Sequence, residues 1–225
     1  MLPYQPIELR FLVTDDGSEP FATWFARLDA MAATKVTMAL VRLGQGNLSR
    51  AQAVGEGVLE YRIDWGPGYR VYFGRDGATL VILLTGGTKQ RQQRQQRDIE
   101  RAPRLWADDR RAARHERRQP MVLTRSFKDL VQRRVAADPA FGAALLREAI
   151  DTLLAGDVET GKTVLRDYIK ATLGFAQLAE ETGTPPKSLI RMFGPRGNPQ
   201  ARNLFGVILC LQRHAGVTLR VTAAP

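Results

Sequence analysis

Phe175-Ala176-Gln177-Leu178-Ala179-Glu180-Glu181-Thr182-Gly183-Thr184-Pro185-Pro186-Lys187-Ser188-Leu189-Ile190-Arg191-Met192-Phe193 has the pattern of two short helices joined by a turn. Residues 175–182 supply the first helix, and Ala179 is small enough to sit where two helices cross. Gly183 suits the left-handed conformation that ends a helix. Pro185 and Pro186 fit the first turn of the next helix, where a missing N–H costs nothing. Leu189, Ile190 and Phe193 are expected to anchor that second helix. Thr184, Lys187, Ser188 and Arg191 are then the candidate DNA contacts, because a helix reading the major groove presents its outward side chains to the bases. A purely structural helical hairpin is the competing reading.

Charge favours the DNA reading. After Glu181 the chain has no acidic residue, whereas Lys187, Arg191, Arg196, Arg202, Arg213 and Arg220 are basic. Phosphate binding needs such local positive charge. Arg196 and Asn198 lie in the loop that follows, and Arg202 at the start of the next helix, as candidate phosphate contacts. That helix is expected over residues 203–214. Residues 217–221 alternate like a short strand, a possible pairing element for a homodimer on a palindromic operator.

Working back towards the N-terminus, helical patterning extends to about Met121. One helix carries Phe127, Leu130 and Val131. Asp138-Pro139 starts another with Phe141, Leu145, Leu146 and Ile150. Residues 158–172 form a third, with Val164, Leu165 and Ile169 inward. Around Arg118-Gln119-Pro120 the character changes, so the expected domains are residues 1–118 and 121–225. No Gly/Ser-rich linker separates them.

The first part reads as an α+β domain of order β-α-α-β-β-β-α. Residues 7–13 alternate with period two, as a half-buried strand does. A helix with Phe21, Trp24, Phe25, Leu28 and Met31 follows, then one with Val36, Ala39, Leu40 and Leu43. Strands are expected at 58–65, 69–73 and 79–85, separated by Gly66-Pro67-Gly68 and Arg75-Asp76-Gly77, which are strong hairpin signals. Gly86-Gly87 then leads to Lys89-Gln90-Arg91-Gln92-Gln93-Arg94-Gln95-Gln96-Arg97, read as the start of a basic helix that reaches Leu105 and Trp106.

Bulk composition narrows the class. The 225 residues carry a net charge of +10, and 44% are hydrophobic, enough for packed cores. Basic and acidic residues number 8 and 9 over residues 1–88, but 11 and 5 over residues 89–118, so the excess is localised and two anionic partners are implied. No apolar run approaches the roughly 20 residues of a membrane span. No secretory n-region precedes an apolar stretch, so a cytoplasmic location is expected. Two histidines and one cysteine, widely spread, predict no metal site and no cofactor. Cys210, in an apolar helical pattern, is expected to be a small core residue.

Residues 121–225 resemble the HigA-like addiction module antidotes. The resemblance rests on residues 123–129 (Leu-Thr-Arg-Ser-Phe-Lys-Asp), Asp138-Pro139-Ala140-Phe141, Gly161-Lys162, Arg166-Asp167-Tyr168-Ile169, Lys187-Ser188-Leu189-Ile190-Arg191-Met192 and Gly197-Asn198-Pro199. It implies autorepression at an operator and neutralisation of a toxin. The first 118 residues resemble RelE/ParE superfamily toxins of the HigB-like subgroup. Glu60-Tyr61-Arg62-Ile63-Asp64, residues 66–73, residues 83–89 and Asp98-Ile99-Glu100-Arg101-Ala102 carry that likeness. It implies a small sheet with helices on one side and, in many members, cleavage of mRNA on the ribosome.

Such cleavage needs no metal, because the RNA 2′-hydroxyl attacks the adjacent phosphate while the protein orients the chain and stabilises charge. Arg62, Arg70 and Lys89 are the expected cationic clamp, and Tyr69 is expected to stack on a base. By the resemblance, Arg62 and Arg70 occupy positions of basic catalytic residues, whereas Asp64 stands where some relatives carry a second lysine. Read singly, each arginine is equally well a surface ion-pair residue. The expectation is a toxin and antitoxin in one chain that bind each other, with a gyrase inhibitor or an inactive toxin fold attached to a DNA-binding regulator as alternatives. Asp151, Asp157 and Glu159 are candidate acidic partners for the basic helix near Lys89.

Overall fold

A computed structural model describes residues 7–78, 80–88, 102–107 and 124–220. The chain divides into two compact units, Met1–Leu130 and Val131–Pro225.

The first unit is built on a six-stranded mixed sheet of order β2-β3-β4-β5-β1-β6. Strands β2 (Ala51–Gly55), β3 (Val58–Ile63), β4 (Tyr69–Asp76) and β5 (Leu80–Thr88) form an antiparallel meander. β1 (Glu8–Leu12) lies parallel to β5, and β6 (Thr124–Ser126) pairs antiparallel with β1. β6 follows Pro120 in the chain yet completes this sheet, so the first unit runs further than residue 118.

Helices α1 (Pro20–Ala26) and α2 (Ala30–Gly44) connect β1 to the meander. The break between them lies earlier than apolar spacing predicts, because Asp29 caps α2 by accepting from the Ala32 N–H at 2.8 Å. Met31 therefore belongs to α2 and is exposed. Both helices cover one sheet face: Phe11 meets Phe21 of α1, and Leu9 lies against Gly44 of α2. The short helix α3 (102–107) covers the opposite face. There Ala102, Leu105 and Trp106 pack on Leu12, Val58, Tyr72, Ile82 and Leu84. Helices thus sit on both sides of the sheet rather than one.

Two glycines set these contacts. A Cβ at Gly86 would come 2.3 Å from the Trp24 ring, and one at Gly74 would come 2.4 Å from Trp106. Gly86 pairs with Val71 and Gly74 with Ile82. Residues 71 and 74 differ in parity, which puts the two tryptophans on opposite faces. β5 accordingly continues through Gly86 and Gly87 to Thr88 rather than stopping at Thr85.

In the second unit the described residues up to 220 form only helices. α4 (Phe127–Ala137) spans the boundary between the units, followed by α5 (Pro139–Leu154), α6 (Val158–Ala171), α7 (Gly174–Thr182), α8 (Pro186–Met192) and α9 (Ala201–Ala215). Asp138 and Asp157 cap α5 and α6 by accepting from the Phe141 and Thr160 N–H groups. Gly183 ends α7 at φ 66°, and Pro186 opens α8. Leu178, Leu189, Phe193, Val207 and Leu211 are buried. Ile190, expected as an anchor, is 46% exposed; Met192 is buried instead. Residues 217–220 are not a strand in the single chain.

Candidate nucleic-acid interfaces

Arg62 and Arg70 are direct cross-strand partners on β3 and β4. Their side chains therefore share the α3 face of the sheet, beyond the end that Trp106 covers. Arg70 also pairs with Gly87 of β5, which puts no side chain beside it. Arg50 continues the row, since the Arg62 N–H donates to its carbonyl at 3.1 Å.

The charge of this row is partly offset by a buried carboxylate. Glu60 precedes Arg62 by two residues, so both side chains point the same way. Arg62 Nε donates to Glu60 Oε1 at 2.9 Å, and Tyr72 Oη donates to Glu60 Oε2 at 3.3 Å. Arg70 Nε lies 3.3 Å from Glu60 Oε1, an ion pair whose N–H is not aligned for a hydrogen bond. Arg70 Nη1 donates to the Tyr69 carbonyl at 3.1 Å. Arg62 also donates to Gln52 Oε1, and Arg50 pairs with Asp64 at 3.4 Å. The two central arginines differ in access: the Arg62 side chain is 47% exposed and that of Arg70 is 7%.

Tyr69 does not join this group. It neighbours Arg70 along β4 and therefore points to the other face. Its ring stacks on Trp65 with centroids 6.2 Å apart and meets Trp24 edge-on at 6.5 Å. Burial raises the phenol pKa above its ordinary value, and the Asp29 carboxylate adds to this. Tyr69 is thus a protonated core tyrosine, and Trp65, only partly buried, is the aromatic with surface to offer at that end. Lys89, the basic stretch to Arg97 and His115 lie outside the described residues. Glu60 and Arg50 were not singled out from the sequence; the spacing of Glu60 two residues before Arg62 was the available signal.

In the second unit, α7, a turn at residues 183–185 and α8 bring Lys187, Ser188 and Arg191 onto one short helix. Lys187 and Arg191 are exposed; Ser188 and Thr184 are partly buried. Arg196, Asn198 and Arg202 are exposed on the loop after α8 and the first turn of α9. Cys210 is buried, and its thiol donates to Glu181 Oε2 at 3.0 Å. Burial first, then that carboxylate, push the thiol pKa up to about 11. Of the acidic residues considered as partners, Asp157 caps α6 and Glu159 pairs with Lys162 at 2.7 Å, while Asp151 is exposed.

Among the described residues there is no cluster of three or more His, Cys, Asp or Glu side chains able to hold a metal ion. Nor is any of their helices long and apolar enough to cross a membrane.

The family model for phage derived protein Gp49-like (DUF891) matches residues 23–107, from within α1 to the end of α3. An uncharacterized protein of Haemophilus influenzae (strain ATCC 51907 / DSM 11121 / KW20 / Rd) is 40% identical over 86 residues, which is 38% of this chain and 84% of the relative. No solved structure gives a significant match. The family match ends before the second unit and contains the whole meander with Arg62 and Arg70. Residues 23–107 of the chain thus match the Gp49-like family, a family of RelE-toxin-like proteins associated with toxin–antitoxin toxins in general.

Proposed function

We propose that this chain is a self-neutralising toxin–antitoxin fusion of the HigB/HigA type, acting in the cytoplasm. The first unit engages mRNA on the ribosome through Arg62 and Arg70 and cleaves it without a metal; the second inhibits that activity and binds operator DNA. The observation carrying the RNA reading is the cross-strand arginine pair beside Gly87. Arg62 is half-exposed, and Arg70 Nε has no aligned acceptor, which suits a phosphodiester oxygen. Cleavage at such a site works by positioning the 2′-hydroxyl and stabilising phosphate charge. Lys89 is the third cation of this reading. Linkage in one chain gives the inhibitor a high effective concentration. Exposed Lys187 and Arg191 support operator binding through α8, with Thr184 and Ser188 beside them, and a homodimer fits a two-fold operator.

A second reading has its own support. Arg70 is buried against Glu60, which suits a structural ion pair better than a phosphate ligand. The chain is then a DNA-binding regulator with an inactive toxin fold. Growth and translation separate the two. Bacteria would be induced to make residues 1–137, which keep β6 and all of α4, or the full chain. The fusion reading expects arrest and cut mRNA from the fragment only. A soluble, folded fragment that leaves growth and mRNA intact overturns it in favour of the regulator.

A further inference from the structure

We propose that Lys162 is a positioning residue for DNA binding: its buried ammonium pins the loop carrying Arg196 and Asn198 against the end of α8. This rests on the operator-binding reading above. Lys162 lies on α6 and is only 2% exposed. A lysine that near the surface of a small unit normally extends its head into water. Keeping the ammonium inside is costly unless acceptors meet it. Here Nζ donates to the Gly197 carbonyl at 2.6 Å, 35 positions along the chain, and pairs with Glu159 at 2.7 Å.

Gly197 is held from the other side as well. A Cβ there would lie 2.2 Å from the Met192 carbonyl oxygen and 2.3 Å from that of Arg191. Its N–H donates to Gly194 O at 2.9 Å. The loop is therefore folded onto the last residues of α8 in a path only glycine permits, and Lys162 fixes its carbonyl. Arg196 and Asn198 flank Gly197 and are exposed. A fixed loop keeps these phosphate contacts in register with Lys187 and Arg191 on the same α8, so binding does not have to order them. Lys162 itself does not reach the DNA.

The test uses the full chain, a labelled duplex containing the DNA directly upstream of its own gene, and a random duplex of equal length. Affinity is measured against salt for wild type, Lys162→Met, Arg196→Gln and the double variant, with helicity checked by circular dichroism. Each single substitution is expected to weaken binding about tenfold and lower the salt slope by about one. In the double variant the losses are expected not to add, because Arg196 is already misplaced without Lys162. Additive losses, or a folded Lys162→Met chain with an unchanged salt slope, overturn the pin. Should Lys162→Met fail to fold, Gly197→Ala displaces the same loop with the lysine retained. It is expected to show the same loss and the same non-additivity with Arg196→Gln, and wild-type binding by it overturns the proposal. A wild-type chain that prefers neither duplex removes the operator reading itself, and the role of Lys162 with it.

Discussion

The arginines on the sheet and those around α8 carry the same charge in opposite settings. Arg70 is buried, Arg62 leans on the same carboxylate, and Glu60 holds both together with Tyr72. Arg191, Arg196 and Arg202 stand exposed on a chain segment with no acidic residue after Glu181. On the sheet, charge is tied to folding, so any ligand has to compete with Glu60. Around α8, charge is nearly free of folding and available to a polyanion. The lesson is that a basic residue in a suggestive motif is informative only once its counter-ion is known.

Substitutions at Glu60 challenge this contrast most severely. Glu60→Ala leaves Arg70 buried without its carboxylate, and we expect the first unit to lose about 3–5 kcal/mol in urea unfolding of the full chain. A loss under about 1 kcal/mol, of the kind surface pairs give, would erase the distinction between the two regions.

The thiol beside Glu181 tests how a carboxylate near α8 acts on a buried neighbour. With its pKa raised from 9.0 to about 11, Cys210 carries roughly a hundredfold less thiolate at pH 8 than an ordinary cysteine, so iodoacetamide labelling of the folded chain should be correspondingly slow. The sign follows from the protonated form being favoured by folding. This contribution to stability is complete below pH 9 and is lost as pH rises through about 11. Labelling at the rate of a free thiol would show that Cys210 is not held as described.

Gly86→Ala probes the sheet face opposite the arginine pair. A methyl group 2.3 Å from the Trp24 ring has to displace it, and we expect a cost of about 1–3 kcal/mol by thermal or urea unfolding. A neutral result would mean that Trp24 gives way without cost and that the Gly86 contact is not close-packed.

The smallest stability effect is expected where the charge is exposed. Arg191→Gln should change stability by no more than about 0.5 kcal/mol while weakening DNA binding. A destabilisation comparable to Glu60→Ala would place Arg191 in a structural network and weaken the case for α8 as a DNA-reading helix.

Much of this was legible from residue order. Asp138-Pro139 and Gly183-Thr184-Pro185-Pro186 announce helix ends through backbone chemistry that hardly depends on context, and the structure follows them. The turn signals Gly66-Pro67-Gly68 and Asp76-Gly77 place the strands of the meander, but Tyr69-Arg70-Val71-Tyr72-Phe73 is too evenly apolar to show which face each residue occupies. β2 and β6 were not legible: Ala51-Gln52-Ala53-Val54-Gly55 has little β-preference, and Thr124-Arg125-Ser126 is only three residues long. Each is a strand because a neighbour offers it hydrogen bonds. The same limit separated Tyr69 from Arg70, which are adjacent in sequence but face opposite layers.

Sequence alone determined the α+β and helical halves, the hairpin turns, the basic tail and the candidate arginines, because these follow from local propensity, periodicity and charge. Only tertiary structure decided that Arg62 and Arg70 share the single carboxylate of Glu60, that Trp24 and Trp106 cover opposite faces at glycines, and that Lys162 reaches Gly197. Those facts depend on which distant groups share a low-dielectric interior, where an ion needs a partner and a ring needs space, and residue order does not record either.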